Sequence, residues 1–133
     1  MKRESHRRQS LSREQFEALV ANALTDLPPE FQSRLENIDV VVEDWPTPGQ
    51  LAEVGLRHPT QLLGLYEGIP WGQRSRGYSM VPPDKITIFR KPIEAKCRGE
   101  DEIEREVKRV VRHEIAHHFG FDDERLDEIE RGD

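Results

Sequence analysis

The stretch HEIAHHFGFDD, residues 113–123, decides how this sequence is interpreted. Its first five residues have the pattern His-Glu-x-x-His. Side chains four residues apart lie on one face of a helix, one turn apart, so His113 and His117 are placed to bind one metal ion from the same side. Glu114 follows the first histidine and can reach a water molecule held by that metal. The stretch therefore predicts a metal site on a helix.

The ligand types indicate zinc, because two imidazoles one turn apart with a glutamate base directly after the first are typical of zinc-dependent hydrolases. A catalytic zinc site uses three protein ligands and keeps one position open, so one ligand has to come from elsewhere. Gly120 allows the chain to turn back with a positive φ, which favours Asp123 as the third ligand. Other candidates stay open: Asp122, Glu124, Asp127, Glu128, Glu130 and, as an outsider, His118. His118 points about 100° round the helix from His117, so we expect it to be packed beside the site.

The surrounding sequence predicts an α+β fold with a small sheet of about three strands packed on helices. Apolar residues at helical spacing predict a long helix from Glu100 to His118, ended by Gly120. A second predicted helix runs from Ser12 to Asp26 and begins with a Ser12–Gln15 capping box. Strands are predicted over 38–43, 61–67 and 85–90, with Pro92 ending the last strand. The other predicted elements are a short helix over 29–36, loops over 45–50 and 71–85, and a last helix over 122–130.

Length and composition predict one domain. The chain has 133 residues, and we expect a basic disordered tail over 1–11 and a single domain over 12–133. The formal net charge is −6, which does not favour nucleic acid or an anionic membrane surface. A single cysteine, Cys97, excludes a disulfide framework and favours a reducing compartment. With no long apolar run and no secretory signal, we expect a cytoplasmic protein without a membrane span.

Three stretches carry a resemblance to a known family. HEIAHHFGFDDERL, with PDKITIFRKPIE and LLGLYEGIPW upstream, resembles the small bacterial zincin-like metallopeptidases over roughly residues 14–130. That resemblance implies a compact minimal zincin fold. The family's signature, HExxHxxGxxD, falls on His113, Glu114, His117, Gly120 and Asp123. It implies zinc ligands at His113, His117 and Asp123 and a catalytic glutamate at Glu114.

The predicted function is zinc-dependent hydrolysis of peptide bonds in small peptides or unfolded proteins. In zincins an edge strand above the helix pairs with the substrate backbone, and residues 86–89 or 62–66 are the candidates for that strand. A developing oxyanion needs a donor besides the metal, for which the candidates are Tyr66, Tyr78, Arg74 and Arg76. The sequence predicts no oligomeric state.

Two alternatives differ in function. The spacing of His113, His117 and Asp123 is similar to the H-x3-H-x5-H ligand pattern of the bacterial endoribonuclease that matures ribosomal RNA. Against it, Glu114 stands where that family has glycine, the third histidine is absent and the chain is acidic. The other alternative is a degenerate zincin whose metal is structural or whose domain binds partners.

Overall fold

The computed structural model describes residues 11–32, 35, 38–68 and 84–120, and every structural statement below refers to these. Residues 1–10 of the predicted tail, the last helix and most of the predicted 71–85 loop lie outside them, whereas Leu11, expected in the disordered tail, is buried in the core. None of the described helices is long and apolar enough to cross a membrane. The described elements are helices α1 (Arg13–Thr25), α2 (Pro29–Gln32), α3 (Pro48–Glu53), α4 (Arg90–Lys96) and α5 (Glu100–Phe119), strands β1 (Ile38–Glu43), β2 (Gly64–Glu67) and β3 (Asp84–Phe89), and a 3-10 turn (Pro59–Gln61).

The three strands form one mixed sheet in the order β1-β3-β2. The central strand β3 runs parallel to β1, with Val40 opposite Ile86, and antiparallel to β2, with Leu65 opposite Thr87. The predicted α+β fold with a three-stranded sheet is thus confirmed. Residues 86–89 lie in the central strand, so of the two candidate edge strands only residues 62–66, which overlap β2, reach an edge of the described sheet.

Alternating side chains give the sheet two apolar faces. On one face, Ile86 and Ile88 pack with α1 and α5 in the main core. On the other face, Phe89 and Leu65 form a second cluster with Leu51 and residues near it. The sheet is therefore covered on both faces, and α5 packs on the face that carries Ile86.

Helix α1 begins as the sequence predicts. The Ser12 hydroxyl accepts from the Gln15 N–H, and the Gln15 side chain accepts from the Ser12 N–H, which completes the predicted capping box. Phe16, Val20 and Ala23 are buried against the main core, which includes residues of α5. The capping signal and the apolar spacing together place this helix correctly.

Three local predictions were wrong. Residues 45–50 were expected to be a loop, but α3 begins at Pro48, because Thr47 caps it and proline fits the first turn of a helix. Pro92 was expected to end the third strand, but the strand ends at Phe89 and Pro92 lies in the first turn of α4, where a missing N–H is tolerated. Strand β2 begins at Gly64 rather than residue 61, because a 3-10 turn takes up Pro59–Gln61.

Candidate metal centre

Helix α5 carries the candidate site because its apolar stripe fixes its orientation. Ile103, Val107, Val111 and Ile115 are buried at helical spacing against the core. Three acidic residues in the first turn complement the helix dipole. Gly120 ends the helix with φ 79°, the left-handed conformation that the sequence predicts for it.

The two histidines lie one turn apart on the same side of α5. The ring centroids of His113 and His117 are 4.3 Å apart, with an interplanar angle of 60°. His113 is half-buried, whereas the side chain of His117 is 50% exposed. The predicted i,i+4 arrangement is therefore present, and the site opens to solvent on the His117 side.

Glu114 lies beside these rings and is nearly buried. Its side chain is 8% exposed, and its Oε1 lies 3.7 Å from Nδ1 of His117. Burial raises the pKa of the Glu114 carboxyl, while the nearby His113 and a hydrogen bond from the backbone N–H of Tyr66 lower it in part. A carboxyl with a raised pKa is suited to accept and release a proton near neutral pH.

The hydrogen bond from Tyr66 joins Glu114 to the edge strand. The N–H of Phe89 donates to the carbonyl of Leu63, so residues 63, 65 and 67 face β3 in the antiparallel ladder. The N–H and C=O groups of Gly64 and Tyr66 then point away from β3. The Glu114 carboxylate therefore lies at the outer edge of β2.

Gly64 allows α5 to approach β2 this closely. A Cβ at residue 64 would lie 2.8 Å from Cγ1 of Val110 and 3.1 Å from Cγ of Glu114. A Cβ contact of 2.8 Å is essentially never observed and one of 3.1 Å is unusually tight, so only glycine fits without movement of a neighbour. The lack of a side chain at Gly64 therefore allows the short distance between the edge of β2 and Glu114.

His118 is packed as expected, beside the site rather than in it. Its side chain is 1% exposed, and its Nδ1 lies 2.8 Å from Oδ2 of Asp84, at the start of β3. The ring of Tyr66 packs edge-on against His118, with centroids 5.6 Å apart. Tyr66 thus contributes its backbone N–H to Glu114 and its ring to the packing of His118.

The structure brings together His113, Glu114 and His117, but other predicted residues lie outside the described ranges. Among these are Asp123 and the other third-ligand candidates downstream, and also Tyr78, Arg74 and Arg76. No local sequence pattern indicates Gly64, Asp84 or the Tyr66 N–H, because each acts through a contact between distant parts of the chain.

These residues suit a metal ion such as zinc. The ligand atoms of His113, Glu114 and His117 all lie within 4.8 Å of one another. Imidazole nitrogen and carboxylate oxygen are ligands that zinc accepts. The donor types and their convergence therefore fit the ion that the sequence predicts.

A comparison with protein families found one match. The model described as zincin-like metallopeptidase matches residues 35–133, about three quarters of the chain. The match includes the sheet, α5 and the candidate site, and it leaves α1 and α2 outside. A search of curated proteins found no match.

Proposed function

This chain belongs to the zincin-like metallopeptidase family, and we propose that it hydrolyses peptide bonds in small peptides or unfolded proteins. In this proposal His113 and His117 bind zinc, Asp123 supplies the third ligand and Glu114 is the general base. The observation that carries the proposal is the position of the buried Glu114 carboxylate, between the two histidines and the edge of β2.

The role of Glu114 follows from its surroundings. When bound, zinc supplies Lewis-acid chemistry: it polarises a carbonyl and lowers the pKa of water toward neutrality. Glu114 would take the proton of the attacking water on its carboxylate and then return it to the nitrogen of the leaving amine. The N–H of Tyr66 holds the carboxylate in place, and burial raises the pKa of its carboxyl group.

The edge of β2 would position the substrate. The N–H and C=O of Gly64 and the C=O of Tyr66 face away from β3, so an extended peptide can pair with them as an added strand. Such pairing needs a substrate whose own backbone groups are free, which an unfolded segment or short peptide has. It would carry the scissile bond past Glu114, because Glu114 contacts the same edge.

The activity is tested with purified protein and a peptide library read by mass spectrometry. We expect about one zinc per chain and cleavage that a chelator abolishes and zinc restores. Glu114→Gln should lose cleavage and keep zinc, since glutamine cannot accept the proton. Glu104→Gln is the matched control, because Glu104 lies on the same helix and its side chain is partly exposed. Absence of zinc in the parent, or equal cleavage by Glu114→Gln, would reject the proposal.

The third ligand needs a separate comparison. Asp123→Asn should weaken zinc binding more than Asp122→Asn or Glu124→Gln does, because an amide oxygen is a poor ligand for zinc compared with a carboxylate. Zinc affinity is measured by competition with a chelating indicator. If one of the other two variants loses more affinity than Asp123→Asn, the ligand is reassigned to that residue.

A further inference from the structure

His117 lies in the last turn of α5, three residues before Gly120. The Gly120 N–H donates to the carbonyls of Ala116 and His117, but helix ends still open more easily than helix interiors. The His117 side chain is 50% exposed, so packing of its own ring does little to fix it. A metal ligand in this position needs support from its neighbours.

The next residue supplies that support. His118 is almost completely buried, and its Nδ1 lies 2.8 Å from Oδ2 of Asp84, whose side chain is fully buried. Asp84 in turn lies tightly against Gly68, where a Cβ would overlap the Asp84 carboxylate. The last turn of α5 is thus attached to the ends of β2 and β3.

The same contact reaches the strand edge at the site. The His118 ring packs against the ring of Tyr66, whose backbone N–H holds Glu114. A shift of His118 would therefore move the last turn, with His117 on it, relative to the edge strand and the base. The buried pair of Asp84 and His118 therefore connects the turn that carries His117, the edge strand and Glu114.

From this geometry we infer that Asp84 and His118 are positioning residues, which fix His117 relative to Glu114 and the edge of β2. The inference rests on the proposed zinc site, because its purpose is to pre-arrange a ligand. Phe119 gives the same turn a second attachment, since its ring stacks on Phe31 with centroids 5.3 Å apart. That stacking faces α2, whereas the contact of Asp84 with His118 joins the turn to β3, beside the strand that holds the base.

Comparing zinc affinity with stability distinguishes a positioning role of Asp84 and His118 from a role in stability alone. Asp84→Ala removes the contact with His118, whereas Asp84→Asn keeps its shape and one acceptor oxygen. Val107→Ala is the control: it opens a cavity in the buried stripe of α5 but lies away from the last turn. Zinc affinity is measured by competition with a chelating indicator. The measurement is made without denaturant, at a temperature at which each variant is folded.

We expect Asp84→Ala to weaken zinc binding by about 10- to 100-fold, the usual effect of removing support around a metal ligand. Asp84→Asn should lose less, and Val107→Ala should keep the parental affinity despite its lower stability. Parental affinity in Asp84→Ala would overturn the inference, as would an equal loss in Val107→Ala. If Asp84→Ala does not fold, Asp84→Asn is used instead. Parental zinc affinity in Asp84→Asn would then contradict the inference, and a measurable loss of affinity would support it.

A second readout separates this inference from the proposed function. If the parent binds no zinc, the proposed function fails, but the position of the His117 ring can still be followed by imidazole ¹H–¹⁵N spectra of the metal-free protein. Asp84→Asn should shift the His117 ring signals, and Val107→Ala should leave them unchanged. Unchanged signals in Asp84→Asn would overturn the positioning role.

Discussion

The backbone N–H of Tyr66 donates a hydrogen bond to the carboxylate of Glu114. Tyr66 lies on edge strand β2 and Glu114 on helix α5, so this bond joins the surface proposed to hold a peptide to the residue proposed to act as the base. Because the donor is a backbone N–H, every residue except proline at position 66 keeps it, and the bond does not depend on the Tyr66 side chain. The distance between strand and helix at this point has measurable consequences.

The first prediction concerns that distance. Gly64→Ala should lower the free energy of unfolding by about 1–3 kcal/mol, because the added methyl group overlaps Val110 and Glu114. Peptide hydrolysis should fall more than stability alone explains, since Glu114 has to move. Gly49→Ala is the control, as its added carbon would make only an ordinary contact at 3.9 Å. Chemical denaturation and a cleavage assay check both effects, and full activity in Gly64→Ala would contradict the prediction.

The second prediction concerns pH and the metal-free protein. Burial raises the pKa of Glu114 above its ordinary value of 4.5, so the folded chain keeps this proton to higher pH than the unfolded chain does. The free energy of unfolding should therefore fall as pH rises from 4.5 through the raised pKa. Glu114→Gln should not show this fall. Urea unfolding with a chelator present, measured at several pH values, checks the difference between the two proteins.

The control for this pH series is Glu104→Gln, because Glu104 is partly exposed and no charge is buried there. It should follow the parental curve. If Glu114→Gln and the parent lose stability in parallel over this range, the buried carboxyl is not the cause of the pH dependence.

The third prediction concerns the end of α5. Gly120→Ala should lower the free energy of unfolding by about 1 kcal/mol, since a side chain is strained at φ 79°. Gly120→Asn should cost less, because asparagine tolerates the left-handed region better. Thermal and urea unfolding measure both. Equal stability of the alanine variant and the parent would mean that the helix end does not keep this conformation.

The fourth prediction concerns the charged network that joins α4 to the start of the fold. Arg90 donates to Asp44 at 3.0 Å and to the Leu11 carbonyl at 2.6 Å, and it lies 3.6 Å from the buried Glu94. Arg90→Met should lower the free energy of unfolding by about 3 kcal/mol, because the buried Glu94 loses the nearer of its two positive partners and keeps Lys91 at 4.0 Å. Adding Glu94→Gln should recover part of the loss, since burial raises the pKa of Glu94 already.

Arg109→Met is the matched control for this network. Arg109 pairs with Glu106 but its side chain is 55% exposed, so the loss should stay below about 1 kcal/mol. Double-mutant analysis of Arg90 and Glu94 by denaturation measures their coupling. No coupling between them would contradict the assigned role of Arg90.

Local sequence patterns predicted the elements that depend on local chemistry. Helix α5 was predictable because its apolar residues repeat at helical spacing and Gly120 follows, and β1 because its residues are β-branched. Helix α3 was missed because proline and glycine were interpreted as breakers, although Pro48 occupies the first turn, where proline is tolerated. Composition alone is misleading here, because the effect of a proline depends on its position in the helix.

The site was predictable only in the part that lies on one helix. The spacing of His113 and His117 places both on one face, whatever surrounds them. The support around them depends on contacts between distant residues, such as Asp84 with His118 and Gly64 with Val110. No local pattern indicates such pairs, because the backbone path brings them together only after the sheet has formed. The third ligand stays a prediction, since Asp123 lies outside the described residues.

Helix α1 lies outside the residues that match the family, yet it shares a core with α5. Phe16 and Val20 are buried in the same cluster as Val107, and Lys108 of α5 lies 3.3 Å from Asp26. A fragment that began at residue 35 would leave that apolar surface open to water and prone to self-association. The limit of family similarity is therefore not a limit of independent folding, and the smallest stable fragment should include α1.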